Sequence, residues 1–509
     1  MMSTVHQAFL TTARRTPTAP FLCTEAITAQ AYGIAAGEIS WGEAEIQVER
    51  LCAAYATAGY GIGHRVGLLL ENRPAFLFHW FALNALGVSV VPINAEMRSA
   101  ELTYLIGHSG ISLVICLPGR CEDLQAAARL AGRSVAIAEA GTQQFAPAQA
   151  VDAGRQAIPD GQTECALLYT SGTTGRPKGC RLDNDYFLQA GRWYASLDGV
   201  CQVRRDAERI ITPLPLNHVN AMAFSTMVVL TAGGCLVQLD RFHPKTWWHS
   251  VRESGATIVH YLGVMPALLL AAQPSPSDRQ HGVRWGFGAG VDRKNHAPFE
   301  ARFGFPLVEA WAMTETGAAA CVMANHEPRH VGTSCFGRAE NFVELRLIDE
   351  AGADVSDGAP GELLVRSAGA DPRRHFFTDY LNDAAATSEA WAGGWFHTGD
   401  MVRRDAEGNL FFIDRKKNVI RRSGENISAV EVESVLNQHP AVKASGVAAT
   451  PDTLRGDEVL ACIVTHGELA AQQRTELARG IVQLALDQLA YFKAPGYVAF
   501  VAELPLTAS

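Results

Sequence analysis

Apolar runs of strand length alternate with helical runs over the first 120 residues, and this restricts the chain to a mainly parallel sheet covered by helices on both faces. SWGE at Ser40 to Glu43 reads as a capping box, and Ala44, Val48, Leu51, Cys52 and Tyr55 follow it at helical spacing until Gly59 ends the run. RVGLLL is then strand-like, PAFLFHWFALNALG helical, VSVVPIN strand-like, SAELTYLIGHSG helical and ISLVICL strand-like again. Right-handed crossovers make such a sheet doubly wound. The alternation resumes from Val251 to Leu307.

A chain of 509 residues is too long for one core and suggests about three domain-sized units. After about Gly332 the texture changes: FVELRLID, GELLVRS and GNLFFID are short strands between turn residues, as in a small β-barrel or meander. Beyond Arg415 come a capped helix (SAVEVESVLNQHPAV), a strand (EVLACIVTH), a helical run from Glu468 to Leu489 and a last strand (GYVAFVAEL), a compact α+β unit. No internal repeat or low-complexity segment occurs, and Gln273 to Gly282 reads as a surface loop.

The net charge of −9 and the lack of a long basic run argue against nucleic acid. None of the 11 cysteines forms Cys-x-x-Cys, so zinc spacing is absent and the thiols read as reduced core residues of a cytoplasmic protein. The N-terminus lacks an apolar stretch of signal-peptide length. Ile210 to Leu239 carries no acidic or basic residue apart from His218, but prolines, asparagines and Gly233-Gly234 interrupt it. It is therefore expected to be a buried helix followed by a buried strand, with no membrane span.

The stretch most telling about chemistry is YTSGTTGRPKGC, Tyr169 to Cys180, with three glycines, four Ser or Thr residues and one lysine. A Walker loop needs glycine directly before its lysine and Ser or Thr after it, whereas Lys178 stands between Pro177 and Gly179. Cys165 to Tyr169 instead reads as a buried strand running into a loop. Backbone N–H groups of Gly172 and Gly175 and hydroxyls of Thr170, Ser171, Thr173 and Thr174 can wrap a polyphosphate there without a helix dipole.

Placed at a strand end, YTSGTTGRPKG resembles the phosphate loop of the adenylate-forming enzymes: acyl-CoA synthetases, luciferases and peptide-synthetase adenylation domains. Further motifs resembling that superfamily follow in order: PLPLNHVN (213–220), GFGAGVD (286–292), EAWAMTETG (309–317), GELLVRS (361–367), WFHTGD (395–400) and DRKKNVIRRSGENISAVEVE (414–433). GAGVD and EAWAMTETG look most like the crotonobetaine/carnitine-CoA ligase branch, which suggests a betaine-like acid. The resemblance implies an AMP-forming acyl-CoA synthetase: a carboxylic acid and ATP give acyl-AMP and pyrophosphate, and coenzyme A then displaces AMP. Alternative readings are an adenylation enzyme that loads a carrier protein and a non-catalytic adenylate-binding protein. Assembly stays open, a homo-oligomer included.

By that resemblance Thr170, Ser171, Gly172, Thr173, Thr174, Gly175 and Lys178 meet the β- and γ-phosphates, and Glu315 helps hold Mg²⁺, a hard cation that prefers oxygen ligands. Thr314 reaches the α-phosphate. Trp311, where relatives carry tyrosine, and Ala312, where they carry glycine, lie at the adenine-stacking position with Glu309 and Met313. Gly288, Ala289 and Gly290 form the opposite wall. Asp400 takes the ribose diol with Arg415 as its partner, and Ser423, Gly424 and Glu425 approach the nucleotide. His218 gates the passage between ATP and acyl sites, and the acyl group meets His218, Asn220, Gly263, Met265, Gly288 and Met313. Cys180, remote from any His/Asp motif, is a small strand residue rather than a nucleophile.

The implied organisation is an N-terminal domain over 1–413, a hinge over 414–417 centred on Lys417, and a mobile C-terminal lid over 418–509. The chain ends VAELPLTAS, a phrase relatives continue with Gly-Lys. That lysine bridges carboxylate and α-phosphate, so a protein stopping at Ser509 is expected to be slow from ATP plus acid yet competent from acyl-AMP.

Overall fold

The computed structural model describes residues 3–151, 158–170, 176–415, 419–467 and 469–504. Ser171 to Gly175 of the phosphate loop, Lys417 and the last five residues therefore lie outside it.

The alternating pattern produces two wound sheets. One runs, in spatial order, Asp379–Tyr380, Lys178–Asp183, Glu164–Thr170, Ser89–Pro92, Arg65–Leu69, Leu113–Cys116 and Ala136–Glu139, parallel from Glu164–Thr170 onward. The other runs Val322–Met323, Leu307–Trp311, Trp285–Ala289, Ile258–Leu262, Arg209–Thr212, Cys235–Gln238, Pro20–Thr24 and Gly37–Ser40, parallel except at its two ends. The capping box is present at Ser40: its hydroxyl accepts from Glu43 N while the Glu43 carboxylate accepts from Ser40 N, and the helix Trp41–Thr57 follows. One helix is apolar on nearly every side. Pro74–Ala85 buries Phe76, Leu77, Trp80, Phe81 and Leu83 because neighbours cover every side.

The charge-free stretch is more broken than expected. It is a strand, Arg209–Thr212, then a π-helical turn, Asn220–Ser225, an α-helix, Thr226–Ala232, and a second strand, Cys235–Gln238. Among the described residues no helix is long and apolar enough to cross a membrane.

The expected small β-barrel is described as a five-stranded antiparallel sheet of open order: Cys335–Gly337, Leu410–Arg415, Phe396–Arg404, Pro360–Ser367 and Val343–Ile348. Residues 420–494 gather around a core of their own, with Ile420, Ile427, Val432, Leu436, Val459, Ile463 and Ile481 at its centre. This small unit pairs Val419–Arg422 with Glu425–Ser428 through the two-residue turn Ser423-Gly424. Both turn residues have positive φ, 53° and 92°, as a type I′ hairpin requires.

Candidate active site

A cavity of about 2340 Å³ opens where the carboxyl ends of Ile258–Leu262 and Trp285–Ala289 meet the small unit's hairpin. It exceeds the roughly 300–1,000 Å³ of a site for one drug-sized ligand, so it has room for more than one reactant. Thr170, Lys178, His218, Asn220, Gly263, Met265, Gly288, Ala289, Gly290, Ala312, Met313, Thr314, Glu315, Ser423, Gly424 and Glu425 all line it. Residues scattered over some 250 positions of sequence therefore converge on one space.

Close backbone approach builds one wall. A Cβ on Gly263 would collide with the carbonyl oxygen of Gly290, and one on Gly288 with that of Tyr261, so neither position accepts a side chain. Glu309 braces the same turn from behind. Its carboxylate accepts from Gly290 N at 2.9 Å, Val291 N at 3.1 Å and Tyr261 OH at 2.9 Å. Burial pushes its carboxyl up despite those donors. Glu309 thus supports the wall but does not line the cavity, unlike the nucleotide contact expected of it.

Glu315 is 6% exposed and faces the phosphate-loop strand. Its Oε1 accepts from Thr170 Oγ1 at 3.4 Å and from Tyr380 OH at 3.0 Å, and the Lys178 ammonium sits over the Tyr380 ring, 4.8 Å from its centre. Glu315, Thr170 and Lys178 are therefore one cluster. Among the described residues no group of three or more His, Cys, Asp or Glu could hold a metal. A single carboxylate beside hydroxyls still fits Mg²⁺, which is commonly held through one or two carboxylates together with substrate phosphates.

Trp311 and Asp400 lie behind the wall. The Trp311 ring is 7% exposed, and its indole N–H donates to Asp400 Oδ2 at 2.8 Å. Asp400 is 1% exposed. Neither lines the cavity, although Ala312, Thr398 and Gly399 beside them do. A stacking face at Trp311 is thus closed in this arrangement, because its indole is pinned to the carboxylate and packed near Phe336. Arg415 pairs with Asp400 across neighbouring strands, its side chain being outside the description. Cys180 is fully buried, and burial pushes its thiol well up, so it is a strand residue and no nucleophile.

The small unit closes the opposite side through several contacts. Gly424 turns directly over Leu262. His218 Nε2 meets Glu425 Oε2 at 3.3 Å. Burial works against both charges, but each partner outweighs it, leaving His218 raised and Glu425 lowered. Lys493 Nζ bridges Glu101 Oε1 at 2.6 Å and Glu431 Oε1 at 2.9 Å, and Ala490 N donates to Glu101 Oε2 at 2.7 Å. Burial disfavours the Lys493 ammonium, yet the two carboxylates raise its pKa.

Tyr380, Glu101 and Glu431 were not foreseen as site residues, nor was the bridge that Lys493 makes between the two carboxylates. Tyr380 reaches Glu315 only because its short strand pairs with Lys178–Asp183. Lys493 carried a visible signal, a lone charge in the otherwise apolar run Leu489 to Ala494.

A family model described as AMP-binding enzyme matches residues 9–370, and one described as AMP-binding enzyme C-terminal domain matches 431–509. The crotonobetaine/carnitine-CoA ligase of Escherichia coli O157:H7 is 28% identical over 502 residues, 95% of this chain and 94% of that protein. The o-succinylbenzoate CoA synthetase of Bacillus subtilis, as a double mutant bound to a product analogue, superposes with a TM-score of 0.82 at 23% identity, covering 98% of this chain and 96% of that one. The same synthetase in complex with AMP superposes with a TM-score of 0.66 at 22% identity, covering 98% and 95%.

Proposed function

Because the chain belongs to the AMP-binding enzyme family, the adenylate-forming superfamily, we propose that it is an AMP-forming acid–thiol ligase joining a carboxylic acid to coenzyme A through an acyl-adenylate. The observation that carries this reading is the cavity walled by both units, with Lys178 and Glu315 on one side and Glu425 of the small unit on the other.

A carboxylate is a poor acyl donor because its leaving group is poor. Attack on the α-phosphorus of ATP expels pyrophosphate and leaves the acyl carbon bearing AMP, a good leaving group; a thiol then displaces it. Two anions must be brought together in the first step, so positioned positive charge and fixed donors supply the catalysis. Lys178 and the hydroxyls from Thr170 to Thr174 are suited to the departing pyrophosphate. Mg²⁺, when bound, neutralises phosphate charge, and Glu315 is the carboxylate placed to hold it. Thr314 takes the α-phosphate and the Gly288–Gly290 turn gives the base a flat wall, whereas Asp400, covered here by Trp311, serves the ribose with Arg415 only once that cover opens. His218, held by Glu425, stands between the nucleotide and acyl regions.

The small unit's position supports the thiol step as the stage represented here. One synthetase, compared in two complexes, matches this chain better with a product analogue (0.82) than with AMP (0.66), and near-identical sequence leaves conformation as the difference. On this reading residues 1–413 form the large domain, 414–417 the hinge and 418–509 the lid, with Lys417 as the pivot. A screen of carboxylic acids by ATP-dependent pyrophosphate release tests the proposal. Release dependent on an added acid is expected; no acid-dependent release from any class of acid would overturn it.

A further inference from the structure

Within the stretches 217–224, 262–268 and 287–290, the residues lining the cavity carry no acidic side chain and no Lys or Arg. Phe224, Leu262, Val264, Met265, Leu268 and Phe287 make this region apolar. Its polar side chains are Asn217, His218, which is paired with Glu425, and Asn220, the first residue of the π-helical turn. Such turns alter which side chains a helix presents and recur at functional sites.

A buried chain of hydrogen bonds fixes how Asn220 is held. His260, fully buried, meets Tyr194 OH through Nε2 at 2.8 Å. Its Nδ1 meets Asn220 Oδ1 at 2.9 Å and Ser225 Oγ at 2.8 Å. Tyr194 is also fully buried, and His260 is its hydroxyl's one hydrogen-bond partner among the described residues. A buried phenol proton without an acceptor is costly, so Tyr194 donates to Nε2 and the imidazole proton sits on Nδ1. Burial keeps the imidazole neutral, its pKa lowered to about 3, so it carries that single proton. Nδ1–H must then meet an acceptor, which sets the oxygen of Asn220 toward His260 and its NH₂ away from it. The Ser225 hydroxyl donates to the Asn220 carbonyl at 3.3 Å, so the donors of this chain are satisfied. The Asn220 NH₂ makes no hydrogen bond to any described residue, while the residue lines the cavity.

We propose that Asn220, oriented by His260 and Tyr194, reads a neutral hydrogen-bond acceptor, such as a ketone or ether oxygen, in the acyl chain of the acid. This rests on the ligase reading above and narrows its substrate class. The charges at this part of the wall are those of His218 and Glu425, which pair with each other, so neither a quaternary ammonium nor a second carboxylate meets a counter-charge that is not already taken. A hydrocarbon chain would leave the amide N–H groups unpaired, and a site built around such donors rejects the analogue lacking the acceptor.

The test is pyrophosphate release with straight-chain acids carrying one ketone at successive positions, each paired with its parent alkanoate. In the wild-type protein at least one keto acid is expected to exceed its parent in kcat/KM by about tenfold or more, less than the 10⁴ of fully enclosed polar sites because Asn220 is only half-buried. In Asn220→Leu that ratio is expected to fall to about one. Tyr194→Phe removes the donor that selects the imidazole tautomer and is expected to lower the ratio as well, which a purely structural role for Tyr194 would not do. Equal rates for every pair in the wild type would overturn the inference while leaving the ligase reading intact, as would an unchanged ratio in Asn220→Leu. A preference for hydroxyl donors over ketones would mean the amide is turned the other way and would also overturn it. Failure of every acid to release pyrophosphate would sink both proposals.

Discussion

On the large unit's side of the cavity, the wall is held by buried partners that leave no alternative. Backbone meets backbone at Gly263 and Gly288, Glu309 clamps the turn between them, and Glu315 is tied to Thr170 and Tyr380. On the small unit's side, the contacts include a His–Glu pair with the imidazole 43% exposed and a lysine shared by carboxylates from both units, beside a glycine turn over Leu262. The first wall cannot move without unfolding its surroundings. The second can be left and remade, because its groups are charged and separate without opening a cavity in either core. A fixed wall suits the chemistry on phosphates, and an exchangeable one suits a site that must admit a second substrate.

This contrast can be broken at several points. The largest effect is expected from Glu315→Ala, which removes the carboxylate placed for Mg²⁺ and should cut acid-dependent ATP–pyrophosphate exchange about 10²–10³-fold, the scale of losing one fixed electrostatic group. Unchanged exchange in a well-folded variant would reject that role.

Glu101→Gln comes next. The amide still accepts at the helix start, where Glu101 takes Arg98 N, but it no longer pairs with Lys493 as a charge. Thioester formation from supplied acyl-adenylate should fall about tenfold, for a charged hydrogen bond worth about 1.5 kcal/mol, with pyrophosphate exchange nearly unaffected. Equal losses in both half-reactions would mean that the contact stabilises the fold generally rather than one arrangement of the units.

Trp311→Phe removes the indole donor to Asp400 while keeping an aromatic ring. It should raise KM for ATP several-fold, about 1 kcal/mol, and leave the use of different acids unaltered. A change in acid preference without a change in ATP affinity would place Trp311 in the acyl pocket instead.

The smallest effect is pH-dependent. His218 is raised above 6.5, so the stability it contributes is complete below 6.5 and lost as pH climbs through the raised value. Glu425 is lowered below 4.5, so its contribution is complete above 4.5 and lost as pH falls through the lowered value. The Tm difference between wild type and Glu425→Gln should therefore be greatest between 4.5 and 6.5 and shrink in more alkaline solution. A difference that grows above neutrality would reverse the assignment.

Local signals carried the fold a long way. The capping box at Ser40 and the strand and helix periods of the first sheet each follow from a few neighbouring residues. Tertiary facts were not legible in this way. Glu309 sits in the motif EAWAMTETG, but only folding shows its carboxylate turned inward to the 290–291 amides. Trp311 reads as an open stacking surface until Asp400, 89 residues later, is found on its indole N–H. The strand before the helix in Ile210 to Leu239 was hidden because a continuous apolar run has no period that separates a buried strand from a buried helix. Asn220 was legible as a pocket residue, whereas the direction of its amide depends on His260 and Tyr194, one on another strand and one on another helix.

If one cavity performs adenylation and thiol transfer in sequence, the products of a single reaction must appear in a fixed order. Protein, ATP, Mg²⁺ and an activated acid are mixed first and coenzyme A is added later, with pyrophosphate, AMP and thioester measured throughout. Pyrophosphate is expected to reach about one equivalent of enzyme before coenzyme A is added, after which AMP and thioester rise together one for one. Formation of ADP and phosphate, or steady AMP release with no thioester, would contradict it.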